Sequence, residues 1–304
     1  MLDGAAKLSI GQRLAACMPM ALLCLVTLAL GACSSVASLN ARVPRTGYSL
    51  HADQPYATGP AQTLDIYVPD GLKAPAPIII FFHGGGWQTR LGAKKDYLFA
   101  AQGLVARGYV VVTPAYRQWP DVVFPAFVED GATAVAWVFA HGASYGGDLS
   151  RVYVMGHSAG AHIAALLALD GHYLANRGID RSRLAGLIGL AGAYDFLPIE
   201  GVTFKMIFDT ANQDPALSQP ISFVTPGAPP ALLATGDDDT VVLPRNSVSL
   251  ARRLAASGNK VVLKHYPGLG HDDIVLALSP ALTPGLPPLL DEIDTFIRGN
   301  AAQP

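Results

Sequence analysis

Residues 78–82 read Ile-Ile-Ile-Phe-Phe and residues 110–112 read Val-Val-Val, with no polar residue alternating between them. Continuous apolar runs of this length fit strands covered on both faces, as in the interior of a parallel sheet. Seven strand-length segments are predicted: 63–68, 77–82, 109–114, 151–155, 187–191, 231–235 and 260–266. Between them lie segments of helical pattern at 127–141, 159–169 and 247–256, with a closing one at 289–297. Strands alternating with helices predict βαβ units around one mostly parallel sheet, an α/β domain with helices on both faces. The stretch 196–230 breaks this rhythm with Pro, Gly and short apolar pieces. Insertions at the carboxyl edge of such a sheet shape ligand pockets, so a small lid is expected there, with a plain long connection as the alternative.

Composition narrows the possible functions. Of 304 residues, 51% are hydrophobic and only 14% charged, which excludes a disordered, charge-rich chain. The net charge of −2 leaves no electrostatic footprint for nucleic acid. Part of the apolar excess is local: residues 14–30 carry no charge and follow Lys7 and Arg13. A positive region, an apolar run and small residues form the layout of an export signal. The run ends Leu30-Gly31-Ala32-Cys33-Ser34-Ser35, which resembles the lipobox of bacterial lipoproteins. The expected organisation is a signal peptide at 1–32, a tether and lead-in at 33–60, and the α/β domain at 61–304. That resemblance implies lipidation of Cys33, export, and attachment by the lipid alone on the outer-membrane or periplasmic side. A plain signal peptide is an alternative, and so is an uncleaved anchor, for which the run is at the short edge. Cys17, Cys24 and Cys33 are the only cysteines. A mature domain beginning at Cys33 would therefore hold no disulfide framework, cysteine nucleophile or cysteine-based zinc site.

The strongest chemical signal is Gly156-His157-Ser158-Ala159-Gly160, between the strand at 151–155 and the helix at 159–169. A Gly-x-Ser-x-Gly in strand–turn–helix context is a nucleophile elbow, which holds a serine hydroxyl out at a sharp turn. The helix that follows offers a backbone N–H and a positive dipole to a developing oxyanion. His83-Gly84-Gly85-Gly86-Trp87 follows the strand at 77–82, and consecutive glycines let backbone N–H groups approach a ligand closely. No phosphate-loop spacing accompanies them. A serine nucleophile needs a base and an orienting acid, expected downstream in the order Ser…Asp…His. His271, in the Gly-rich stretch Gly268-Leu269-Gly270, is the expected base. His265 lies inside a strand, His162 and His172 follow the serine too soon, and His51, His83, His141 and His157 precede it. The acid is sought in Asp237-Asp238-Asp239 after the strand at 231–235, where Asp239 fits best. Asp237, Asp238 and the more distant Asp195 remain alternatives.

These pieces resemble the bacterial α/β-hydrolase esterases of the carboxylesterase and hormone-sensitive-lipase-like group. The similarity is greatest to their compact acetyl xylan/feruloyl esterase-like and kynurenine-formamidase-like branch. The residues carrying it are Leu64-Asp65-Ile66-Tyr67-Val68-Pro69, His83-Gly84-Gly85-Gly86-Trp87, Tyr116-Arg117, Phe124-Pro125-Ala126 with Glu129-Asp130, Gly156–His162, Gly236–Val242 and Gly270-His271. The resemblance implies an eight-stranded sheet, a Ser158–His271–Asp239 triad, and an oxyanion hole from the N–H groups of Gly85, Gly86 and Ala159. It implies a carboxylic-ester hydrolase acting on a small-molecule ester with no cofactor and no metal. An arylformamidase, using the same machinery on an N-formyl aromatic amide, is the alternative, with Trp87 lining an aromatic pocket. A non-catalytic surface binding protein is a more distant one. No long N-terminal helical cap is present, which argues against long-chain lipase activity.

Overall fold

The computed structural model describes residues 38–209 and 214–300. The chain divides after Arg42 into two compact units. Of the first, residues 38–42 are described and include one helical turn. The apolar run at 14–30 and Cys33 lie outside the described residues.

The second unit contains eight described strands: β1 (Tyr48–Pro55), β2 (Thr63–Pro69), β3 (Ala76–Phe82), β4 (Val110–Pro114), β5 (Gly147–His157), β6 (Leu184–Leu190), β7 (Ala231–Gly236) and β8 (Val261–Tyr266). They form one sheet in the order β1-β2-β4-β3-β5-β6-β7-β8. β2 runs antiparallel to both neighbours, and every pairing from β4 to β8 is parallel. The helices are α1 (Leu98–Val105), α2 (Ala126–His141), α3 (Ala159–Leu169), α4 (Gly171–Ala175), α5 (Val202–Ile207), α6 (Arg245–Ala256), α7 (His271–Leu276) and α8 (Leu289–Asn300).

Both faces of the sheet are covered, which is why its central strands carry no polar alternation. Ile78, Ile80 and Phe82 of β3 join Val152 and Val154 of β5 in one core with α2, α3 and α6. The alternate residues Ile79, Phe81, Tyr153 and Met155 are equally buried on the other face. There α8 packs against Tyr153, whose ring lies 6.3 Å from Phe296 and whose hydroxyl donates to the Ile297 carbonyl at 3.3 Å.

Three local features differ from the sequence expectation. Tyr48–Pro55, inside the stretch read as a lead-in, is edge strand β1, so the sheet begins before residue 61. Most of its residues are exposed, so it carries no apolar signature. Backbone pairing to β2 holds it, with the Asp53 N–H donating to Asp65 Oδ1 at 2.8 Å. Helix α1 is buried at every residue except Gln102, which removes the one-sided pattern that would have announced it. His271 is not in an irregular loop but is the first residue of α7. The Gly270 N–H donates to Asp273 Oδ2 at 2.8 Å, a capping contact that starts the helix at that point.

Candidate active site

β5 ends at His157 and α3 starts at Ala159, which leaves Ser158 as the turn between them. Its backbone sits at φ 54°, ψ −121°, a sparsely populated region for a residue with a Cβ. The turn is held from both sides. The Ser158 N–H donates to the Leu190 carbonyl at 2.9 Å, and the His162 N–H donates to the Ser158 carbonyl at 3.1 Å. The flanking glycines have separate reasons. A Cβ at Gly160 would strike the carbonyl oxygens of Phe82 and His83, and one at Gly156 would strike the Gly160 carbonyl. The helix therefore crosses the strand ends closer than any side chain permits.

The loop after β3 lies alongside. Gly85, Gly86 and Trp87 all have positive φ, at 121°, 57° and 59°. His83 anchors the loop: its Nδ1–H donates to the Gly84 carbonyl at 2.7 Å, and its ring stacks on Tyr116 at 4.4 Å. The Tyr116 hydroxyl donates to the His83 carbonyl at 2.8 Å. Burial depresses the His83 pKa to about 4, so the imidazole is neutral. Among the described residues, neither Gly85 nor Gly86 gives its N–H to a backbone carbonyl. The Ala159 N–H opens α3, where no intrahelical acceptor exists.

The acid and the base come from the far ends of β7 and β8. The Asp239 N–H donates to the Gly236 carbonyl at 3.3 Å, closing the turn after β7. Asp239 Oδ2 then accepts the His271 Nδ1–H at 2.7 Å. Its Oδ1 accepts the N–H groups of Val241 and Val242, each at 2.8 Å. Burial pushes the Asp239 carboxyl up, but the His271 contact and the two N–H donors outweigh it and hold the group below its ordinary value. The side chain of Asp239 is fully buried and that of His271 is 11% exposed. A second His–Asp pair, His265 and Asp237 at 2.7 Å, is about 40% exposed on both sides and faces solvent. Asp238 is exposed. Asp195 lies after β6, where its N–H donates to Asn246 Oδ1. Of the four carboxylates considered, only Asp239 meets His271.

His157 joins the elbow to the base. Its ring lies 4.7 Å from that of His271, and its Nε2 is 3.2 Å from the His271 carbonyl. Its Nδ1 is 3.2 Å from the Tyr97 hydroxyl. Among the described residues, His157, His271 and Asp272 form a grouping of metal-ligating types. Asp239 engages Nδ1 of His271, and Tyr97 and the His271 carbonyl engage both nitrogens of His157, so these contacts already use much of its donor set.

Trp87 turns into an aromatic cluster beside the elbow helix. Its ring lies 5.0 Å from Phe208, 5.1 Å from His162, and 6.1 Å from both Phe196 and Phe204. Thus the start of the expected lid, with α5, packs on the glycine loop. Sequence reading missed Tyr97, the contacts of His157, and Phe196, Phe204 and Phe208. Only the Phe204/Phe208 spacing of four residues offered a local signal.

Known proteins resemble this chain in sequence and in fold. The family model BD-FAE matches residues 64–254. Esterase LipC of Mycobacterium tuberculosis is 32% identical over 235 residues, 71% of this chain and 58% of that protein. Isoprenylcysteine alpha-carbonyl methylesterase ICME of Arabidopsis thaliana is 28% identical over 273 residues, 81% of this chain and 61% of that protein. The chain thus spans a little under two thirds of the length of these curated relatives. The crystal structure of esterase B from Lactobacillus rhamnosis superposes with a TM-score of 0.74 at 23% identity, covering 93% of this chain and 96% of that one. That likeness is one of fold, the α/β-hydrolase fold.

Proposed function

The chain belongs to the BD-FAE family, and on that premise we propose that it is a serine hydrolase cleaving carboxylic esters. The observation that carries the reading is the buried His271–Asp239 pair, set against His157 and therefore one residue from the strained Ser158 turn. Ser158 Oγ attacks the ester carbonyl carbon while His271 Nε2 takes its proton. Asp239 keeps the His271 proton on Nδ1 and stabilises the imidazolium. The carbonyl oxygen, now an oxyanion, accepts hydrogen bonds from the N–H groups of Gly85, Gly86 and Ala159, each typically worth ~10²–10³ in turnover. The alcohol leaves with the proton from His271. Water then attacks the acyl-serine, giving its proton to His271, and the acid departs as Ser158 regains its hydrogen. Each step uses side chains and backbone of this chain, with water as the second reactant. The ester in this proposal carries short-chain or small aromatic groups.

The test is hydrolysis of p-nitrophenyl acetate or butyrate by the full chain. Ser158→Ala is expected to reduce turnover to background, and Asp239→Asn to reduce it about 10⁴-fold by permitting the wrong tautomer of His271. Equal rates for wild type and Ser158→Ala would overturn the esterase reading. Parallel rates on a feruloyl ester, an acetylated sugar and N-formylkynurenine separate ester from formamide preference.

We further propose that Cys33 carries a lipid anchor and that the enzyme is exported to the bacterial membrane surface. The support is the charge-free run at 14–30 ending in Leu-Gly-Ala-Cys. Cys33→Ala is expected to move the protein out of the membrane fraction or to block processing of the precursor. Unchanged processing and fractionation would remove the lipoprotein reading.

A further inference from the structure

The proposed reaction employs Ser158, His271 and Asp239 and gives no task to two groups packed against them, His157 and Tyr97. Their hydrogen bonds run in one direction only. The His271 carbonyl can only accept, so His157 Nε2 must carry the hydrogen that meets it at 3.2 Å. In a neutral imidazole Nδ1 is then a lone pair, and the hydrogen between it and Tyr97 Oη, 3.2 Å away, must come from the phenol. The phenolic oxygen packs against Gly84 of the glycine loop. Burial holds the His157 pKa at about 3, so the imidazole keeps this neutral form. A continuous chain therefore runs from Tyr97, seated on Gly84, through His157 to the backbone of His271.

The packing fits the same path. A Cβ at Gly84 would come within 2.6 Å of Tyr97 Oη and 3.0 Å of His157 Nδ1, so the strut needs glycine at that position. Tyr97, just before α1, is wedged among Phe81, His83 and Phe99 at 5.7–6.0 Å between ring centroids. Asp239 fixes which nitrogen of His271 carries the proton, but the backbone of His271 rests on a helix of only six residues. The contact from His157 is the one that refers that backbone to the glycine loop.

We propose that Gly84, Tyr97 and His157 form a strut that sets the distance between the base His271 and the oxyanion-binding loop, with Tyr97 and His157 as positioning residues. The inference rests on the esterase reading of the same site. A displacement of about 1 Å between reacting groups can cost ~10²-fold in rate, so the strut is read in kcat.

The experiment uses the full chain and p-nitrophenyl butyrate. Tyr97→Phe and His157→Asn are expected to lower kcat roughly 10- to 100-fold with KM within about twofold of wild type. His157→Gln places an amide donor where it reaches the His271 carbonyl and recovers much of that loss, whereas the shorter Asn serves only Tyr97. The double variant Tyr97→Phe/His157→Asn is no slower than the slower single variant, because the two act as one unit. A kcat for Tyr97→Phe within twofold of wild type overturns the strut. So does a loss shared equally by Asn and Gln and accompanied by a fall in unfolding midpoint. Nitrogen-15 spectra of the histidines at pH 7 supply a readout independent of turnover. Wild-type His157 is the Nε2–H tautomer, and Tyr97→Phe keeps that tautomer but moves the Nδ1 resonance toward that of a lone pair without a donor. An Nδ1–H form in the wild type overturns the proposal, whereas the stated tautomer without ester turnover overturns the esterase reading and the positioning role with it.

Discussion

Ser158 sets function against stability within a single residue. Its φ of 54° with ψ of −121° costs about 1–3 kcal/mol for a side chain bearing a Cβ, and bonds to Leu190 and His162 impose it. Ser158→Gly relieves the strain, at some added cost in unfolded-chain entropy. The variant is expected to gain about 1 kcal/mol in urea unfolding while losing ester turnover; a lower stability would show that no strain resides there. The other site residues differ in how far they could be read from the sequence. The elbow was legible because Gly156 and Gly160 are demanded by local backbone crossings. The acid was legible only as a best fit, Asp239, because Asp237, Asp238 and Asp239 are adjacent and chemically alike. The turn closed by the Asp239 N–H on Gly236 buries Asp239 and leaves Asp237 to the exposed pair with His265.

Among the elements, α2 is tied down by a buried carboxylate. Asp130, 2% exposed, accepts the Arg117 backbone N–H at 2.9 Å, the guanidinium through Nε and Nη2, and Gln62 Nε2 at 2.7 Å. It thereby joins the helix to the segment after β4 and the one before β2, a structural task for Arg117 and Asp130. Asp130→Ala is expected to cost about 3 kcal/mol, the lower end of the range for a broken buried pair, since the half-exposed guanidinium can turn to water. Urea unfolding reads the loss, and KM for the ester should stay within about twofold; a loss under 1 kcal/mol would show that the pair holds nothing. The seven predicted strands were legible in their apolar content, and the continuous runs of β3 and β4 report coverage on both faces. β1 and α1 escaped for opposite reasons, the first nearly all exposed and the second nearly all buried, so neither shows a one-sided pattern.

Across the whole molecule, three histidines are buried and neutral: His83 and His162 at about 4 and His157 at about 3. Burial is the main cause in each, and each lies below the ordinary value of about 6.5. Between those values the unfolded chain binds more protons than the folded one, so stability is complete above pH 6.5 and is lost as pH falls toward 4. At pH 5 the loss is about 2 kcal/mol per histidine. Urea unfolding should therefore give a much lower midpoint at pH 5 than at pH 7, and a flat profile would contradict the neutral assignments. The depressed Asp239 carboxyl acts only at still lower pH, below its ordinary value of 3.8. By itself the sequence determined the doubly covered parallel sheet and the places where the backbone must turn sharply, because apolar runs and glycine spacing act over a few residues. Tertiary structure alone decided which aspartate meets His271, 32 residues away, and that Tyr97 reaches His157 across 60 residues and His157 reaches His271 across 114. Those contacts follow from the order in which strands lie side by side, and no local preference of the chain encodes that order.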